Sequence, residues 1–140
     1  MAVIYDESHE AERALRAAIS LAGTLSSHLH IVTVIKPAPV YTVYADAVDP
    51  QVARVIEGDH LTFYAQLQAR AATVAQAAEL SVTKHLLQGV EVESIIDLLK
   101  AERVDLLVLG LHRETSTIAR LWNRVFELAE NAPCSLLGIH

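Results

Sequence analysis

Apolar positions along this chain alternate between two rhythms, short solid runs and stripes that recur every three or four residues. Ala2–Tyr5 is a short apolar run ending at Asp6. Beyond Ser8, Ala11, Ala14, Leu15, Ala18, Ala22 and Leu25 form the stripe of an amphipathic helix, with Gly23 near its end. His30–Ile35 is rich in β-branched residues and reads as a buried strand. Lys36–Pro50 contains Pro37, Pro39 and Pro50, which argue against a helix or a central strand there. A long loop carrying Tyr41 and Tyr44 is expected instead. The stripe Ile56, Phe63, Leu67, Ala71, Val74 and Ala78 predicts one long helix from about Val52 to Glu79, weakest near Gly58. Val82–Leu87 reads as a strand closed by Gly89, and Val92, Ile95, Ile96 and Leu99 mark a third helix ending near Glu102. Asp105–Leu109 is almost wholly apolar, as expected of a strand covered on both faces. Ile118, Leu121, Trp122, Val125, Ala129 and Ala132 make a fourth helical stripe, stopped by Pro133, and Ser135–Ile139 is the last strand.

The predicted order is β-α-β-α-β-α-β-α-β. Strands separated by helices imply parallel crossovers, and hence an α/β fold of three layers: a doubly wound five-stranded parallel sheet with four helices. The pattern shows no repeat, low-complexity tract or interdomain linker. A length of 140 residues suits a single domain, 1–140, with a self-sufficient core.

Composition narrows the function classes. Hydrophobic residues make up 52% of the chain, which argues against disorder, yet no apolar run approaches the ~18 residues of a membrane span. The N-terminus MAVIYDESHE has no basic segment before its first strand, so no signal peptide is expected and a cytoplasmic location follows. The single Cys134 excludes an intrachain disulfide and fits a reducing compartment. Eleven basic residues against seventeen acidic ones leave a net charge of −6, which argues against nucleic-acid binding.

In open parallel sheets, ligands bind at the carboxyl ends of the strands near the reversal in strand order. Asp6 and Ser8, the loop after Ile35, Gly89 and the Gly110–Arg113 turn all lie at such ends. Asp6 can accept hydrogen bonds from a ribose or an adenine amine; it also suits the N-cap of the following helix, a role worth ~1 kcal/mol, and the two are compatible. His28 and His30 share a face of a strand-like segment, but no cysteine or paired carboxylate nearby in sequence completes a metal site. A solvent-exposed or hydrogen-bonded pair is the simpler reading. Cys134, between Pro133 and an apolar strand, reads as a buried, inert thiol. Ser8, Ser94 and Ser116 lack a G-x-S-x-G context. Trp122 and Phe126 lie one turn apart on a helical stripe, a pattern for core or interface packing. A phospho-receiver reading fails because the third strand, VTKHLLQG, ends without an aspartate.

Three segments in order resemble the universal stress protein family across essentially the whole chain. They are IYDESHEAERAL, with strand-Asp-x-Ser-helix; LLVLG, a strand ending in glycine; and NAPCSLLGI, with Ala-Pro-Cys before a strand. The resemblance implies a Rossmann-like fold of the adenine nucleotide alpha-hydrolase type, with an adenosine-nucleotide cleft in some members. It also implies a homodimer, paired through the last strand, Ser135–Ile139. Carried onto this chain, the cleft positions are Asp6, Ser8, Val34, Gly89, Gly110, His112, Arg113, Asn123 and Arg124. The nucleotide-binding branch has Gly, two residues, Gly, nine residues, then Gly-Ser/Thr. Gly110 keeps the first position, while the second falls on Arg113 and the closing pair on Asn123-Arg124. Side chains there replace the glycines that let backbone approach phosphate oxygens. The segment GLHRETSTIARLW is also similar to the branch that does not bind ATP.

The expected function is therefore a cytoplasmic, non-catalytic, dimeric stress-response and signalling module with a degraded nucleotide site and no cofactor or metal. The alternative is a switch binding ATP or AMP, its phosphates held by the guanidinium forks of Arg113 and Arg124, with slow ATP hydrolysis at most. On that alternative Glu114 and Glu127 would oppose a triphosphate. A third expectation is a protein partner, a transporter or kinase, docked through the Tyr41–Tyr44 loop. Neither nucleic acid nor membrane is an expected partner.

Overall fold

In the computed structural model, residues 1–35, 50–88, 91–111 and 118–140 are described, except for the side chains of residues 50, 52, 53, 57 and 118–124. The elements run β1 (Ala2–Ile4), α1 (His9–Leu25), β2 (Leu29–Val34), α2 (Pro50–Ala77), β3 (Val82–Leu87), α3 (Glu91–Ala101), β4 (Leu106–Gly110), α4 (Ile118–Asn131) and β5 (Ser135–Ile139). The strands form one five-stranded sheet, ordered β3-β2-β1-β4-β5, in which every pairing is parallel. Strand and helix bounds differ from the expected ones by one or two residues, the usual fraying of element ends. The change at Pro50 has a cause. It opens α2 rather than closing the preceding loop, because a first helical residue needs no N–H partner.

Alternation along the strands divides the interior in two. Val3, Leu29, Ile31 and Val108 face α1 and α2, packing on Ala14, Leu15, Ala18, Leu67 and Ala71. Ala2, Val32, Leu107 and Leu109 face α3 and α4, packing on Ile95, Ile96, Leu99 and Leu128. Helices therefore cover both faces, and the inner strands read as solid apolar runs for that reason. The buried face of α2 is rotated from the expected stripe. Leu67 and Ala71 are buried as predicted, but Phe63, Val74 and Ala78 are exposed, while Tyr64, Gln68, Ala72 and Ala75 are buried. Among the described side chains the buried positions of α2 begin only at Tyr64, so the apolar residues before it do not mark the face that packs on the sheet. The 28 residues of α2 span ~42 Å, about twice the length of the strands it covers.

Polar groups inside the core are few and tied down. The Thr33 hydroxyl donates to the Tyr5 carbonyl at 2.9 Å. The buried Gln68 amide donates to the Ile31 carbonyl at 3.1 Å and the His85 carbonyl at 2.7 Å, pinning α2 across β2 and β3. Among the described residues no buried side-chain nitrogen or oxygen lacks a partner, and no helix is long and apolar enough to cross a membrane.

The end of α1 combines a helical glycine with a serine in the left-handed region. Gly23 lies near the end of the helix, as expected, and Ser26 takes the left-handed cap with φ 51°. A methyl group added at Gly23 meets nothing within 4 Å. Gly23→Ala should therefore raise unfolding stability by about 0.5–1 kcal/mol, through lower unfolded-state entropy and better helix propensity. Urea denaturation with an unchanged slope checks this, and a lowered midpoint would refute it.

Candidate functional site

The strand order reverses between β1 and β4, so the crevice of this sheet opens where those two strands end. On the β1 side the chain folds a tight turn before α1. An Asp6 carboxylate oxygen accepts from the Ser8 backbone N–H at 2.9 Å, and the Ser8 hydroxyl accepts from the Ala11 N–H at 3.1 Å. Ser8 is thus the N-cap, and the cap expected at Asp6 is corrected to a turn-forming role. Asp6 starts the turn because its short carboxylate reaches the N–H two residues ahead. On the β4 side, a Cβ at Gly110 would lie 2.6 Å from the Glu10 carbonyl oxygen and 2.7 Å from the Ala11 nitrogen. The first turn of α1 rests directly on the strand end.

Below this contact lies a cavity of about 70 Å³. Ile4, Ala11, Val92, Ile95, Leu109, Val125 and Leu128 supply its apolar lining, while Asp6, Ser8 and Glu91 supply its polar groups. It is far smaller than the roughly 300–1,000 Å³ of pockets that enclose a drug-sized ligand. It serves as the floor of a crevice. Glu91 was missed in the sequence reading. It opens α3, where a carboxylate is favoured by the helix dipole, and an acidic residue just after Gly89 was the available signal.

The expected site residues fall into three groups. Asp6, Ser8 and Gly110 come together on the cavity. Val34 ends β2 at the same edge of the sheet, but it is not among the cavity-lining residues. Gly89, His112 and Arg113 lie outside the described residues, as do Glu114, Ser116 and the Tyr41–Tyr44 loop; Asn123 and Arg124 belong to α4 with side chains outside them. Cys134 is partly buried, and burial pushes its thiol above the ordinary range, which disfavours the thiolate. Phe126, expected in a core or an interface, is 62% exposed. His28 and His30 do share a face and are hydrogen-bonded. The fold, however, brings His85 and the single carboxylate of Glu102, both distant in sequence, beside His30.

A family model described as the universal stress protein family matches residues 1–140. The chain belongs to the universal stress protein family. Among solved structures it is similar to the universal stress protein UspA from Lactobacillus plantarum, with 19% identity, a TM-score of 0.68, and coverage of 100% of this chain and 97% of that one. A universal stress protein in complex with cAMP is 22% identical, with a TM-score of 0.64 and coverage of 100% and 96%. The Archaeoglobus fulgidus protein in complex with dAMP is 18% identical, with a TM-score of 0.66 and coverage of 99% and 95%. At these identities the likeness is one of fold. No curated protein matches the chain in sequence.

Gly110 supplies the test of this geometry. Gly110→Ala would press a methyl group into backbone atoms of α1, which cannot yield as a side-chain tip can. The expected loss is at least the roughly 1–3 kcal/mol of overpacking, read by chemical denaturation. An unchanged midpoint would show that α1 is free to step back from β4.

Proposed function

We propose that this universal stress protein is a non-catalytic, dimeric signalling module whose crevice has lost tight ATP binding. The observation that carries the reading is the acidic character of the crevice, where Asp6 and Glu91 line one small cavity. Two carboxylates facing a bound polyphosphate oppose it electrostatically, and the low dielectric of a partly apolar pocket strengthens that opposition. The same groups are good acceptors for ribose hydroxyls or an adenine amine. The Arg113 and Asn123-Arg124 positions, where the nucleotide-binding branch has glycines and a hydroxyl, support the reading from the sequence.

A second reading is supported by the relatives bound to cAMP and dAMP, each with one phosphate. Here the crevice takes an adenosine monophosphate as a regulatory ligand, with Asp6 on the nucleoside and Arg113 or Arg124 on the phosphate.

One titration separates the two. Thermal shift of the purified protein with ATP, AMP and cAMP should show no response to millimolar ATP, and denatured protein should release no ATP. A ligand at 100 times its Kd stabilises by about 2.7 kcal/mol, so a genuine site is readily seen. An AMP or cAMP response abolished by Asp6→Ala would establish the second reading, and a clear ATP response would overturn the first.

The dimer has a physical motive. β5 forms one edge of the sheet, with Leu136, Leu137 and Ile139 only partly buried, and an unpaired parallel edge invites a second strand. Light scattering at micromolar concentration should give about twice the 15.3 kDa chain mass. A monomer mass would count against strand pairing through Ser135–Ile139.

A further inference from the structure

At the amino end of the sheet, away from the crevice, three elements bring together a set of donors unrelated to the nucleotide cleft. His30 projects from β2 and His85 from β3, both toward the layer that contains α3, and Glu102 follows the last turn of α3. The His30 Nδ1 lies 3.0 Å from the His85 Nε2 and 4.0 Å from the Glu102 Oε2. One donor atom from each residue fits within a 4.8 Å limit on mutual separation. We infer that His30, His85 and Glu102 bind one zinc-class divalent transition-metal ion.

The distances are close to those a metal requires. With bonds of roughly 2.0–2.2 Å in a tetrahedral arrangement, ligand atoms stand about 3.3 Å apart. The imidazole pair is slightly inside that value, and a rotation of the partly exposed Glu102 side chain closes the remaining gap. The 3.0 Å nitrogen pair is an N–H···N hydrogen bond, so one of the two facing atoms carries a proton. Binding requires that ring to hold its proton on its outer nitrogen instead, a change of tautomer and not of charge.

Chemistry selects the cation. Two imidazole nitrogens and one carboxylate suit zinc and its first-row neighbours, whereas calcium and magnesium need a shell of oxygens. Three protein ligands leave a fourth position for water on the solvent side, where Glu102 is 40% exposed.

The surroundings hold the donors in place. The His28 ring packs edge-on to His30 with centroids 4.7 Å apart. Both nitrogens of His28 are engaged at 2.8 Å by the Ser81 and Thr83 hydroxyls, so His28 acts as a wall and not as a ligand. Gln68 fixes the backbone of His85 from the opposite face of the sheet. The Met1 ammonium donates to the His28 carbonyl at 3.2 Å and places a positive charge near His30.

Titrating chelator-treated, full-length protein with zinc alone, followed by calorimetry and melting temperature, tests the site. One equivalent should bind and raise the melting temperature, and cobalt should give the intense visible bands of a tetrahedral complex. Glu102→Gln and His85→Gln should each weaken zinc by more than the roughly 10–100-fold lost when only a partner of a metal ligand is removed. Melting both variants in chelator verifies that they fold, and the partly exposed Glu102 keeps the test available if His85→Gln does not. His28→Ala should retain one equivalent. Failure to bind zinc, or binding that Glu102→Gln leaves unchanged, would overturn the inference.

Discussion

The first turn of α1 lies against the end of β4 with no space for a side chain between them. That contact depends on Gly110 and on the turn built by Asp6 and Ser8, which aims α1 across the strand end. It joins the two strands at the reversal in sheet order, so the crevice and the core share one support. Any residue other than glycine at position 110 would push α1 away, open the cavity beneath it and loosen the packing of Ala11, Ala14 and Leu15 on the sheet. Its place at the end of a strand therefore reflects a steric need shared by fold and site.

The crevice built on that contact favours acceptors over phosphate-binding groups on its described walls. Asp6 arrives from β1 and Glu91 from α3, so the acidic character is a product of two distant segments. α3 begins at this crevice with Glu91 and is followed at its other end by Glu102 in the histidine cluster. The two groups of polar side chains thus sit at opposite ends of one 11-residue helix, ~16 Å long.

Much of the architecture was legible because burial on two faces leaves a plain mark. Leu106–Leu109 is a solid apolar run and Leu29–Val34 a largely apolar one interrupted by His30 and Thr33. Helix α1 buries Ala11, Ala14, Leu15, Ala18 and Ala22 of the expected stripe, while Leu25 at its end is exposed. The stripe of α2 is less legible because the helix also carries exposed apolar residues, Val55, Leu61, Phe63 and Val74 among them, which periodicity alone does not separate from the buried ones. Asp and Ser are both good caps, so the sequence leaves Asp6 and Ser8 equivalent at this end; the choice between them depends on the turn each can close.

The sequence by itself determined the element order, the parallel sheet, the glycine at the end of β4 and the family to which the chain belongs. These follow from local periodicity and from short motifs whose meaning does not depend on distant partners. Tertiary structure decided which charged residues share a space. Glu91 lines a cavity with Asp6, and His30 meets His85, 55 residues away, and Glu102, only after crossovers have packed distant segments side by side. A carboxylate or an imidazole carries no sequence periodicity of its own, so its chemical role emerges only when the fold selects its neighbours.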